Sequence, residues 1–219
     1  MSAAQLVALS GGIAKIAANG ITGSVALDAD DAVIVNAVVA NILSKTSTDA
    51  TVDVAANGAS AAELTTLSTN IAKVDSITGL TVTNTQSAAQ IGNLLGKATD
   101  ALVTATAMGA ADLAAVADNA AKIFANGVTG TVTVTSALSA AQIDALLGKT
   151  AVGATVNVDT TGFSAAQLSA VEDNIAKVDD INNLGITSSQ SAAGITALLG
   201  KAAGNDAAVD ASGMSTTQI

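Results

Sequence analysis

The densest set of potential ligands in the chain is Asp28-Ala29-Asp30-Asp31, three carboxylates within four residues. Hard cations such as calcium take oxygen ligands of this kind, which makes Asp28, Asp30 and Asp31 the candidate metal site. The segment lacks the glycine and distal glutamate of an EF-hand loop, and no Gly-Gly-x-Gly-x-Asp nonapeptide occurs. A helix start also favours acidic residues without any metal, so both readings of the cluster stand. Glu172-Asp173 and Asp179-Asp180 have the residue types for acid-base work. They lie at or beside a helix end with no histidine, arginine or aromatic platform, and solvated faces explain them. Asn19-Gly20, Asn57-Gly58 and Asn126-Gly127 read as turns after helices, because Asn and Gly tolerate positive φ. None has the spacing of a phosphate loop.

The missing residue types narrow the chemistry further. There is no His, Cys, Trp, Tyr or Pro, and all eight basic residues are lysines. The commonest general base, the usual thiol nucleophile and the best zinc ligands are thereby removed together. No catalytic residue and no cofactor site are identified, and the chain does not read as an enzyme. A formal charge of −10 with scattered lysines argues against nucleic acid, which needs a basic patch. The most apolar stretch, residues 32–43, is broken by Asn36 and Asn41 and is shorter than the roughly 20 residues a membrane helix needs. No membrane insertion and no signal peptide are expected.

Hydrophobic residues make up 50% of the 219, yet aromatics are 1%, so Ala, Val, Ile and Leu must build the core. Their placement repeats. The lysines stand at 15, 45, 73, 97, 122, 149, 177 and 201, a near-regular spacing that marks an internal repeat. Around alternate lysines runs an i, i+3, i+7, i+10 apolar face, as in Leu64, Leu67, Ile71 and Val74, which predicts a helix. A shorter helical face precedes the others: Ile91, Leu94, Leu95, then Ile143, Leu146, Leu147, then Ile195, Leu198, Leu199. Ser60, Ser87, Ser139 and Ser164, each followed three residues later by Glu or Gln, predict capping boxes at the helix starts. Residues 2–5 and 215–218 repeat that box, while Gly194 and Gly109 interrupt it. Each lysine is expected in a last helical turn, exposed, against the negative end of the dipole.

Between helices lie period-two runs such as Thr51-Val52-Asp53-Val54 and Thr131-Val132-Thr133-Val134, which predict strands with one wet face. Interruptions at Asp53, Asn157, Ala26 and Asp210 argue against a flat threonine ladder of the ice-organising kind. Helix units are expected near 2–16, 30–45, 60–74, 87–97, 109–124, 139–149, 164–178 and 191–201, with a ninth starting at 215. Strand, helix and strand in succession form a right-handed βαβ crossover. The fold class expected over residues 1–219 is α/β: a right-handed α/β solenoid of about eight strand-helix units, parallel sheet on the inner face and helices on the outer. With no terminal caps visible, the array is expected to be a fragment of a longer chain.

The phrases Ser-Ala-Ala-Gln-Ile, Leu-Leu-Gly-Lys and Asn-Ile-Ala-Lys-Val-Asp, joined by Val-Thr-Val-Thr strands, resemble the Ala/Thr/Val-rich repeats of very large surface proteins of marine cyanobacteria and other bacteria. The layout is similar to leucine-rich repeats in form. The resemblance implies export to the cell surface or beyond, with adhesion or motility as the role and calcium elsewhere in the parent chain. The functional expectation is a structural or adhesive repeat region, a stalk, coat or filament. Its partners would be further repeats of the same chain or another copy, end to end. The alternative is a solenoid binding module that holds a peptide or glycan on its concave strand face.

Overall fold

In a computed structural model, which describes residues 1–28, 34–204 and 207–219, the chain is an α/β protein with parallel strands. It divides into two compact units, Met1–Val103 with Ala121–Phe124, and Thr104–Ala120 with Ala125–Ile219. The first contains α1 (Ala3–Gly11), β1 (Ser24–Asp28), α2 (Asn36–Lys45), β2 (Thr51–Ala55), α3 (Ala61–Thr69), β3 (Ser76–Thr78), β4 (Thr81–Val82), α4 (Ala88–Lys97) and β5 (Ala101–Thr104) up to Val103. The second contains α5 (Ala110–Asp118), β6 (Ile123–Thr129) from Ala125 onward, β7 (Thr131–Val134), α6 (Ala140–Lys149), β8 (Thr155–Asp159), α7 (Ala165–Asp173), β9 (Asp180–Asn182), β10 (Gly185–Ile186), α8 (Ala192–Leu199) and β11 (Ala208–Val209).

The capping serines start their helices as the sequence predicts. Ser2, Ser60, Ser87, Ser139 and Ser164 each accept the N3 amide hydrogen and receive the reciprocal Gln or Glu bond. The helix expected near 30–45 runs instead from Asn36, with Val35 in extended geometry as its N-cap and no side-chain cap bond. From α2 to α7, helices without and with a following 3-10 turn alternate. After α3, α5 and α7 an Asn ends the α-helix, and a 3-10 turn carries the following lysine: Ile71–Lys73, Ala120–Lys122, Ile175–Lys177.

Strand register explains both faces. Inward rungs Val25↔Val52, Leu27↔Val54↔Ile77 and Val134↔Val158↔Ile181 are at most 2% exposed. Burying such a side chain stabilises by about 1.5–3 kcal/mol. The outward rungs, Ser24↔Thr51, Ala26↔Asp53↔Ser76 and Thr133↔Asn157↔Asp180, leave the other face of the strands polar.

A single continuous sheet of eight strands is not what forms. The first unit holds a β1-β2-β3 sheet and a β4-β5 pair, and the second holds β7-β8-β9 and β10-β11. The division comes at β3, β6 and β9, strands that the Val/Thr alternation did not announce. Each follows a 3-10 turn and is followed directly by a residue with positive φ: Gly79 at +64°, Gly130 at +79°, Asn183 at +55°. The chain bends there, so β3 pairs with β2 whereas β4 pairs with β5. The first half of each bent strand also bridges the residue after the next short helix, as in Ile77↔Ala98, Val128↔Thr150 and Ile181↔Ala202.

Candidate functional site

Of the candidate calcium ligands, Asp28 stands at the exposed end of β1, and Asp30 and Asp31 lie outside the described residues. Among the described residues no three carboxylates gather in a way that could hold a metal ion. Glu172 and Asp173 end α7, Asp180 opens β9, and Asp179 directly precedes it. These four do not converge; Glu172 and Asp179 have separate partners within the fold. The exposed carboxyl of Asp159 is held below the usual carboxylate range by the Asn183 amide, then by the hydroxyl and backbone N–H of Thr161. The backbone N–H of Ser212 does the same for Asp210. Asp159 closes β8, and Asp210 directly follows β11.

The recurring phrase Asn-Ile-Ala-Lys-Val-Asp turns out to encode bonds between neighbouring repeats. Asn70 and Asn174 donate their side-chain N–H to the carbonyls of Thr66 and Ala170. The ammonium of Lys73 then reaches back to the Leu43 and Ser44 carbonyls at the end of α2, at 2.9 and 3.4 Å. Lys177 likewise bonds the Thr150 carbonyl after α6 at 2.7 Å, and the Asn126 side chain at 3.1 Å. These two lysines therefore neutralise the end of the preceding helix rather than of their own, and they are half-buried instead of fully exposed. Asp75 and Asp179 complete the phrase by accepting the backbone N–H of Val52 and Val156 at 2.6 and 2.7 Å. In the short helices Lys45, Lys97 and Lys149 sit in the last turn as expected. No buried side-chain N or O atom among the described residues lacks a partner.

One shallow depression in the first unit is built differently. Leu102 and Phe124, each 46% exposed, are the large apolar side chains that stand exposed on strands among the described residues of this unit. With Asn57, Gly79, Thr81 and Asp100 they line a cavity of about 320 Å³. The Asn57 amide lies directly over Gly79, where any Cβ would collide with it. In the second unit the same place above Gly130 is taken by Thr106, whose hydroxyl accepts the Thr131 N–H at 3.1 Å. Residue-type reasoning overlooked this depression because its one carboxylate, Asp100, stands in the sequence with no second carboxylate or other ligand type beside it. The signal was present in the phrase itself: Asn119-Ala-Ala-Lys122-Ile-Phe124 puts Phe where two other copies have Asp75 and Asp179 and the first has Ala17.

No helix among the described residues is long and apolar enough to cross a membrane. Neither a protein-family model, nor a curated protein, nor a solved structure matches the chain.

Proposed function

We propose that the chain is a structural or adhesive repeat region of a large exported bacterial surface protein, its strand-helix units stacked as a right-handed solenoid in a stalk, coat or filament. The observation that carries this reading is the use of the repeated polar residues. Asn70 and Asn174, Lys73 and Lys177, and Asp75 and Asp179 all form bonds that end a helix or tie one repeat to the next. A repeat selected for chemistry would reproduce a free nucleophile, base or ligand set, whereas this one reproduces its joints. Nearest-neighbour bonding of this kind is what a solenoid propagates.

The test is surface labelling. An antibody raised against the chain is expected to label unpermeabilised cells of the source organism, or material shed from them. Labelling that appears only after permeabilisation would sink the export reading.

A further inference from the structure

We propose that the depression lined by Asn57, Asp100, Leu102 and Phe124 binds one pyranose ring of a neutral sugar. The first argument is that two neighbouring positions break the rule of the repeat. Phe124 replaces the aspartate that, as Asp75 and Asp179, accepts a strand N–H. Leu102, paired with Thr81, stands where two other repeats place Thr51 and Thr155, paired with Ser24 and Thr131, and where the last places Ala208, paired with Gly185. Exchanging a bonding carboxylate and a threonine for two large apolar side chains leaves both 46% exposed and departs from the polar outward face of the neighbouring strands. An apolar spot of this kind on a polar face marks contact with something else.

The chemistry of the lining says what that something is. A pyranose ring offers a flat face of C–H groups bordered by hydroxyls. Phe124 and Leu102 supply an apolar platform, and aromatic faces are suited to such contact. Asp100 can accept two adjacent hydroxyls, and the Asn57 amide offers both a donor and an acceptor. Neither side chain has a hydrogen-bond partner within the described protein. A cavity near 320 Å³ suits one ring at the small end of ligand sites. Asp100 and the −10 charge of the chain disfavour sialic and uronic acids. An extended peptide would draw its affinity from a free strand edge, which an outward strand face does not provide. This inference does not rest on the surface-array reading.

The test uses the full chain, isotope-labelled, in proton–nitrogen correlation spectra. The probes are methyl β-glucoside, methyl β-galactoside, methyl α-mannoside and N-acetylglucosamine at millimolar concentrations, with sialyllactose and a short apolar peptide as competing classes. At least one neutral sugar is expected to shift resonances confined to residues 57, 78–81, 100–102 and 124. Phe124→Asp should weaken that response by about tenfold or more. Because this variant restores the residue found at the same place as Asp75 and Asp179, its melting temperature should equal or exceed the parent's, which separates loss of binding from loss of fold. Silence with every neutral sugar overturns the proposal, as do shifts that survive Phe124→Asp. A stronger response to sialyllactose or to the peptide, or a lowered melting temperature in the variant, overturns it equally.

Discussion

The starts of α4 and α8 differ in a way that shows how a repeat can change a part and keep its function. In the first unit, Gln90 completes the capping box of α4 and also donates to Thr65 at 3.1 Å, while Asn93 donates to Ser68 at 3.2 Å. In the second unit the corresponding positions are Gly194, Ala197 and Glu172. The Glu172 carboxylate occupies the space a side chain at 194 would need, and it accepts the Ser191 hydroxyl at 3.1 Å. An acidic group supplied by the neighbouring helix thus stands at the α8 N-terminus in place of the local glutamine. Three coordinated changes preserve the polar contact at the helix start. Phe124 is the contrasting case, since its side chain cannot accept the strand N–H that Asp75 and Asp179 accept.

If the two units are equivalent in packing, deleting equivalent core groups should cost the same in both. Leu94 and Leu146 occupy the same place in short helices and are 0% exposed. Leu94→Ala and Leu146→Ala are each expected to lose about 3 kcal/mol in urea unfolding, from lost burial and the cavity left behind. Values that differ from each other by more than the spread of the method would break the equivalence.

The exchange at α8 is tested next. Gly194→Gln should destabilise by about 1–3 kcal/mol, because the new side chain collides with Glu172. Adding Glu172→Ala should recover most of that loss, since the glutamine can then form the box seen in α4. A double variant no better than Gly194→Gln alone would show that Glu172 is not the substitute for the missing glutamine.

Asp75 and Asp179 come third. Replacing either with Ala removes a carboxylate bond to a strand N–H and is expected to cost about 1–2 kcal/mol. The two losses should agree, because the bonds agree in length and partner. A neutral result at one site and a loss at the other would mean that the phrase is repeated without a repeated role.

The helices were legible in the sequence because serine caps and the Leu/Ile spacing are local signals; Ser60 and Ser139 fix their helix starts whatever surrounds them. The inward valines were legible for the same reason. What stayed hidden depended on partners distant in sequence. Lys73 reads as the end of its own helix until its contact with the Leu43 carbonyl is seen. The strands at 76–78 and 180–182 are too short for a period-two signal, and the positive-φ residues directly after them, Gly79 and Asn183, resemble ordinary turns. The depression under Phe124 was hidden by a different cause: its residues come from four separate segments, and only their departure from the repeat connects them.

The smallest expected effect concerns the bend at Asn183. The other bends use Gly79 and Gly130, so Asn183→Gly keeps the backbone free to hold its positive φ and removes only the side chain. That side chain is the first cause of the lowered pKa of Asp159. The lowered folded-state value means that Asp159 adds stability above its unfolded pKa of about 4, and that this contribution is lost as pH falls through the folded-state value. Asn183→Gly should therefore move the Asp159 titration up toward the ordinary range and shrink the acid-side loss. Asp210 is the internal control, because its partner is Ser212. Carbon-detected titration of both carboxyls reads the two together. An unmoved Asp159, or an Asp210 that moves with it, would show that the Asn183 amide is not what distinguishes this bend from its glycine counterparts.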